Sequence, residues 1–279
     1  MRRSALLAIL VGVLLGAATG CGGTKEAAAP TTTAPVIENL KIIFPEGLNV
    51  REMGARVAAV RKIAIAKRGV TPKLTRARYL AAVSKAKPPK PFLPDWHRGS
   101  LEGFLFPALY EFTQYTTGHE LVADQLAAFR RSFARVNLSY ARSKNLTPYD
   151  VLKIASMIEK ETVAPKERAL VSAVIYNRLH NKMPLGIDAT IRYGLRIPGT
   201  KSLTKAAIAS SSPYNSRRFP GLPPTPVANP GLASIKAAAH PAKVDYLYYV
   251  RIPGTTRHFF TASENEFLRK VCAFGYACS

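Results

Sequence analysis

An acidic side chain stands where a helical pattern calls for an apolar one. In the run Ile154-Ala155-Ser156-Met157-Ile158-Glu159-Lys160-Glu161-Thr162, the residues Ile154, Met157, Ile158 and Glu161 fall at i, i+3, i+4 and i+7. That spacing is one stripe of an amphipathic helix, and Glu159 points to a different side of it. A carboxyl group at the end of an apolar stripe loses hydration, which disfavours its charged form and lifts its pKa toward the range a general acid needs near neutrality. The competing reading is an ordinary solvated charge at the exposed C-terminal end of the helix. The five histidines, His97, His119, His180, His240 and His258, form no paired-ligand motif, and no cysteine pair has zinc spacing, which predicts no metal. No cofactor motif stands either. Residues 194–201 come near a phosphate loop, but Thr200 occupies the position that needs lysine.

The helix that would carry Glu161 has a marked start. Thr147 is placed as its N-cap, with Pro148 at the first helical position and Asp150 three residues on. A second helix is predicted from Pro165, with Val171, Val174, Ile175, Arg178 and Leu179 at helical spacing. Upstream, residues 119–139 read as one long helix whose Leu121, Leu126, Phe129 and Phe133 face a core. Nearer the N-terminus, Ile42-Ile43-Phe44-Pro45-Glu46-Gly47 reads as a short strand ending in a turn. A basic helix over 50–66 and another over 76–86 follow it. These make a small α+β module, closed by the proline-rich break Pro88-Pro89-Lys90-Pro91-Phe92-Leu93-Pro94. From Pro184 the pattern shortens into turns, including Leu185-Gly186-Ile187-Asp188 and the proline-heavy 219–230. The strand-like run Tyr246-Leu247-Tyr248-Tyr249-Val250 comes last. Long loops of this kind line clefts. The phrase Arg-Ile-Pro-Gly-Thr occurs at Arg196 and again at Arg251, two turns of similar chemistry rather than a repeated domain.

The N-terminus reads as an export signal. Arg2 and Arg3 precede a stretch without charge over 4–24, most apolar between 5 and 15, which is shorter than the ~20 residues of a spanning helix. Ala18-Thr19-Gly20-Cys21 puts small residues before a cysteine. Ala18, however, stands where lipoprotein signals usually carry leucine, so lipidation of Cys21 and an uncleaved anchor both stay open. Either one places the body outside the cytoplasm. In that compartment Cys272 and Cys278 could close a short disulfide loop, the alternative being two free thiols in the tail. The net charge of +23 over 279 residues would suggest nucleic acid in a cytosolic protein. Export removes that target and leaves anionic headgroups, acidic wall polymers or plain solvation.

Taken in order, several segments resemble the membrane-anchored endolytic transglycosylases of bacterial cell walls, the MltG or YceG-like family, from about Phe44 to Val271. The carriers are Leu101-Glu102-Gly103 with Pro107, the helix Ala155-Ser156-Met157-Ile158-Glu159-Lys160-Glu161-Thr162, and Tyr176-Asn177-Arg178-Leu179. Asp188-Ala189-Thr190 with Tyr193-Gly194 and Ser212-Pro213-Tyr214-Asn215 follow. Gly221-Leu222-Pro223-Pro224, Asn229-Pro230-Gly231, Lys236-Ala237-Ala238-Ala239 and the tyrosine-rich strand before His258-Phe259 complete the set. Their order is more specific than any one of them. Two departures stand out: the N-terminal module is shorter than in many relatives, and Ala189 replaces the usual proline after the aspartate.

The resemblance implies an α+β fold, with a shortened LysM-like module over 38–95 and a mixed helical and β catalytic domain over 96–271. A signal or anchor over 1–21, a flexible linker over 22–37 and a tail over 272–279 make up the rest. It implies that Glu161 is catalytic and that the β-1,4 bond between N-acetylmuramic acid and N-acetylglucosamine is cut to leave a 1,6-anhydro end. Asn177, Asp188, Tyr193, Tyr214 and Asn215 become candidates to hold sugar groups or to orient Glu161. For Asn177 and Asp188 a buried hydrogen bond that fixes a turn is an equal alternative, and for the two tyrosines core packing is. The implied partners are peptidoglycan strands, the membrane and wall synthases such as penicillin-binding proteins, with no nucleic acid. Two other functions remain open: a hydrolytic muramidase using Asp188 as a second carboxylate, and a wall-binding scaffold without catalysis.

Overall fold

Polar side chains open the long helices. Asn49 and Glu52 close a reciprocal capping box at 3.0 and 2.8 Å, and Thr117 with Glu120 and Thr147 with Asp150 form two more. Each satisfies backbone donors that the first helical turn leaves unpaired. The computed structural model describes residues 37–96 and 99–276. The leader, Cys21 and Cys278 lie outside the described residues, as does the linker but for Ile37.

In chain order, β1 (Asn39–Ile43), α1 (Val50–Arg68) and α2 (Arg76–Lys85) precede a short 3-10 helix (Lys90–Asp95). Then come β2 (Leu109–Thr113), α3 (Gly118–Phe133), α4 (Ser139–Ser143) and α5 (Pro148–Glu161). After a 3-10 turn (Pro165–Glu167) follow α6 (Arg168–His180), α7 (Asp188–Leu195), α8 (Lys205–Ile208) and α9 (Leu232–Ala239). The hairpin β3 (Tyr248–Arg251) and β4 (His258–Thr261) and the helix α10 (Glu264–Ala273) close the order. The result is a mixed α+β fold, mainly helical, with two antiparallel two-stranded sheets among the described residues.

The first strand pairs with a distant one. β1 runs antiparallel to β2 with Ile42 opposite Tyr110 and Leu40 opposite Phe112, and all four of these side chains are buried on the same face, as the two-residue period of a strand requires. Phe44 then packs between the rings of Tyr79 and Tyr110. Phe92, in the proline-rich segment, meets Phe104, Phe129 and Phe133 at 4.9–5.5 Å. The Pro-rich stretch is therefore anchored in the core rather than left as a loose spacer.

α5 is the central helix. Ile154, Ala155, Ser156, Met157 and Ile158 are all fully buried, packed between α9 and α6, so truncation of Ile154 to alanine would cost about 2–5 kcal/mol. Ser156 survives there because its hydroxyl donates to Lys153 O at 2.7 Å and accepts from Val227 N at 3.0 Å. The long helix expected over 119–139 instead ends at Phe133, and the short α4 starts only at Ser139. Asn137 takes the amide of Ser139 on its side chain at 2.9 Å, a local bond that competes with continued helix. The expected turns around Asp188 lead straight into α7, which ends at Arg196 in the left-handed region, φ 58°.

Candidate active site

Glu161 is the last residue of α5. Thr162 breaks the helix with extended dihedrals, and its hydroxyl ties back to Ile158 O at 2.7 Å. The carboxyl group is thereby held, half-buried, in the wall of a cavity of about 640 Å3. Burial pushes its pKa up from the ordinary glutamate value. The hydrogen bond from Tyr249 pulls it back, the charge of Asp188 pushes it up, and His258 and Arg217 pull it down. The acidic residue on an apolar stripe is thus partly desolvated, as the helical spacing predicts. Glu159 turns elsewhere and accepts from Gly231 N at 2.9 Å, which ties α5 to the start of α9.

The tyrosine hydroxyl of Tyr249 donates to Glu161 Oε2 at 3.0 Å. Its own pKa is driven well above the phenol value by burial and by the neighbouring carboxylate, so it remains a donor. Three contacts fix the strand that carries it. Asn177 Nδ2 donates to Val244 O and Tyr246 O at 3.0 and 2.9 Å, and Arg178 Nε donates to Leu247 O at 2.6 Å. On the other side the His258 ring meets the Tyr249 ring edge-on at 5.5 Å, and Glu167 holds His258 through both its backbone amide, at 3.0 Å, and Nδ1, at 2.7 Å.

The remaining expected residues divide by position. Asp188 and Tyr193, both on α7, line the cavity with Glu161. Asp188 is ion-paired with Arg217 Nε at 2.7 Å. Tyr193 packs its ring 5.1 Å from that of Tyr214, a contact open only because Gly194 has no side chain. A Cβ there would sit 2.6 Å from Tyr214 Cβ. Tyr214 stands behind, sharing a 2.8 Å hydrogen bond with Thr225. Asn215 is fully buried; its amide donates to Ile208 O and Ser210 O at 2.8 Å, and its oxygen accepts from Arg217 N at 3.2 Å. Asn177 and Asn215 therefore act on backbone. One braces the strand of Tyr249, and the other braces the turn that presents Arg217 to Asp188.

Local pattern did not single out Tyr249, Arg217, Glu102, Glu167 or His258. Glu102 lies in one of the segments that carry the resemblance, where no role is assigned to it. It is buried, accepts from Val50 N at 3.1 Å and from Asn229 Nδ2 at 2.9 Å, and burial pushes its pKa up to about 8. Asn229 also accepts from Gly103 N and Leu105 N at 3.0 and 2.9 Å. Gly103 has φ 91° with Pro226 where a Cβ would lie, which explains a glycine after Glu102. Together these hold the first turn of α1, whose Asn49, Arg51 and Glu52 form another wall of the cavity, with Arg76 of α2 beside them. Among the described residues no cluster of three or more His, Cys, Asp or Glu is placed to hold a metal ion, and no helix is long and apolar enough to cross a membrane. Cys272 lies in the last turn of α10.

Comparison with known proteins adds the following. A family model described as the YceG-like family matches residues 24–273. Over 213 residues the chain is 32% identical to a Bacillus subtilis (strain 168) protein named endolytic murein transglycosylase, covering 75% of this chain and 58% of that one. It is 31% identical over 261 residues to a protein of the same name from Streptococcus pneumoniae (strain ATCC BAA-255 / R6), covering 90% and 46%. The chain thus spans about half the length of the curated relatives it matches. The crystal structure of a yceG-like protein from Listeria monocytogenes superposes with a TM-score of 0.70 at 26% identity, over 86% of this chain and 77% of that one.

Proposed function

The chain belongs to the YceG-like family, and from that premise we propose that it is an endolytic lytic transglycosylase of peptidoglycan, a lyase with Glu161 as its acid and then its base. The observation that carries the reading is a half-buried carboxyl group on a cavity, its pKa raised by desolvation and its carboxylate oxygen held by a tyrosine hydroxyl. The relatives' names supply the substrate class.

Protonated Glu161 gives its proton to the oxygen leaving C1 of the muramyl residue. The glycosidic bond breaks, and the muramyl C6 hydroxyl attacks C1 from within the same sugar. Its proton passes to the Glu161 carboxylate, so the acid is regenerated and no water is consumed. Tyr249 fits both halves of this cycle. As a donor to Oε2 it fixes the carboxyl orientation, and it stabilises the carboxylate that exists between the two transfers. Hydrolysis would ask for a second carboxylate to activate water or attack the sugar. Asp188 shares the cavity and is the residue that favours a muramidase as second reading, but its ion pair with Arg217 leaves it poorly placed to serve as a free base.

Loss of the acid should cost about 100- to 10,000-fold in rate. Glu161→Gln on uncrosslinked glycan strands, with products weighed by mass spectrometry, tests both parts. Anhydro ends from the parent and none from the variant support the reading. Reducing ends carrying one more water would replace it with the muramidase, and unchanged cleavage by Glu161→Gln would remove Glu161 as the acid.

We also infer an extracytoplasmic site of action, with the 1–21 leader as signal or anchor and Cys21 as a lipidation candidate, and a role beside wall synthases in ending nascent strands. The 38–95 segment is read as a shortened LysM-like module and 96–271 as the catalytic domain. In support, the former contributes a strand and two helices, whose first turns carry Asn49, Arg51 and Arg76 into the cavity wall.

A further inference from the structure

The cavity that holds Glu161 is far more cationic than a neutral sugar chain requires. Arg51, Arg76, Lys160, Arg192 and Arg196 line it, and they come from or directly follow four separate helices, α1, α2, α5 and α7. Against them stand Glu52 and Asp188, besides Glu161 itself. Glu52 is occupied in the capping box with Asn49, and Asp188 is neutralised by Arg217. Among the described residues none of the five cations stands in an ion pair. The first turns of α1 and α2 face the same space, and the partial positive charge of a helix start adds to the field. A concave wall with an excess of one sign of charge concentrates ligands of the opposite sign.

Some of these cations have structural work. Lys160 donates to Gly47 O at 3.1 Å, and Arg192 donates to Pro198 O at 3.1 Å. Arg51, Arg76 and Arg196 are exposed. Arg196 is held in the left-handed region at φ 58°, an uncommon place for a long side chain. That position aims the turn after α7 back at the cavity.

We infer that this wall binds the carboxylates of the glycan on either side of the scissile bond. On the transglycosylase reading, on which the identity of the glycan rests, every second sugar bears a lactyl group. That group ends in a free carboxylate where the strand is stripped and carries a peptide with its own carboxylates where it is not. The cations therefore act as a specificity element: the substrate is an anionic strand, and charge density along the chain helps position a muramyl residue at Glu161.

The test uses the purified Glu161→Gln protein as a binder that does not turn over, with labelled uncrosslinked strands in three forms. One bears its stem peptides, one is stripped to lactyl carboxylates, and one bears peptides whose carboxylates are capped as methylamides. The inference expects the capped strand to bind at least about tenfold more weakly than its uncapped parent. Tighter binding of stripped strands assigns the contact to the lactyl carboxylate, which is free only there, weaker binding of stripped strands assigns it to the stem-peptide carboxylates, and equal binding means that either carboxylate satisfies the wall. Adding Arg51→Gln, Arg76→Gln and Arg196→Asn together should weaken binding of uncapped strands about eightfold, at about a factor of two per partly solvated charge pair. It should leave the capped strand unaffected. Arg269→Gln on α10, an equal charge change away from the cavity, serves as control. Equal binding of capped and uncapped strands overturns the inference whether or not the triple variant folds, and so does failure of every strand to bind. Carboxylate preference without any anhydro product from the parent would sink the enzymatic reading alone. Equal cleavage of capped and uncapped strands would sink this one alone.

Discussion

Replacing Tyr249 with phenylalanine removes one oxygen atom and leaves the ring that packs against His258 and Phe260. The lost group is the donor to Glu161 at 3.0 Å. A hydrogen bond to a charged group is worth about 1.5–3 kcal/mol, and 1.36 kcal/mol corresponds to one pH unit of titration. Because the bond holds the charged form of Glu161, its loss must raise the pKa further, so the basic limb of the pH profile of kcat/KM should move up by about one to two pH units. Glu161 is half-buried rather than enclosed, which favours the lower end of that range. kcat/KM is the right quantity because it reports the free enzyme, and anhydro ends released from uncrosslinked strands between pH 4.5 and 9.5 would supply it. On the acidic side of the limb both proteins carry a protonated Glu161, so their rates there should lie within about tenfold. A limb that stays in place or moves down refutes the tuning role. A fall on the acidic plateau with no movement of the limb would mean that Tyr249 contacts substrate instead.

Arg217→Gln should move the same limb up by a smaller step, since Arg217 lowers the Glu161 pKa and also neutralises Asp188. Its half-exposed position makes that step shrink at high ionic strength, and a step that salt does not change would argue against a charge effect. Glu102→Gln should begin less stable than the parent at pH 4.5, because its amide faces the donors Val50 N and Asn229 Nδ2. The folded pKa of Glu102 is raised from 4.5 to about 8, so the parent loses stability as the pH climbs through that window and the gap closes by up to about 1.4 kcal/mol per pH unit. Urea unfolding at several pH values measures it, and a gap that stays constant between pH 5 and 8 is the contrary result. Thr147→Ala should destabilise by about 1 kcal/mol through loss of the capping box. It should leave kcat and KM unchanged, because the cap sits a helix length, about 20 Å, from Glu161; an altered KM would mean that the N-terminus of α5 reaches the cleft.

The proposed acid, Glu161, is legible because everything that marks it is local. The Thr147 cap, the stripe from Ile154 to Glu161 and the break at Thr162 lie within one helix, and a period of 3.6 residues can be read without knowing what packs on it. The same locality explains which elements were found: α1, α2, α5 and α6 carry caps or apolar spacing of their own. The pairing of β1 with β2 spans some seventy residues and a proline-rich break, and nothing in a two-residue alternation names its partner. Tyr249 was seen only as part of an apolar strand, since a tyrosine's hydroxyl gains meaning from what faces it, here a carboxyl 88 positions away in sequence. The same holds for Asn177 and Asn215. Their residue type is right for sugar contacts, but the commitment of their side-chain NH2 groups to backbone carbonyls is a fact of tertiary geometry. What these asparagines do reaches Glu161 at second hand, through Tyr249 and through Arg217. A site built this way concentrates its readable chemistry in one residue and distributes the tuning of that residue over loops that only folding brings near it. Substitutions at the bracing positions should therefore shift the pH dependence of cleavage before they abolish it.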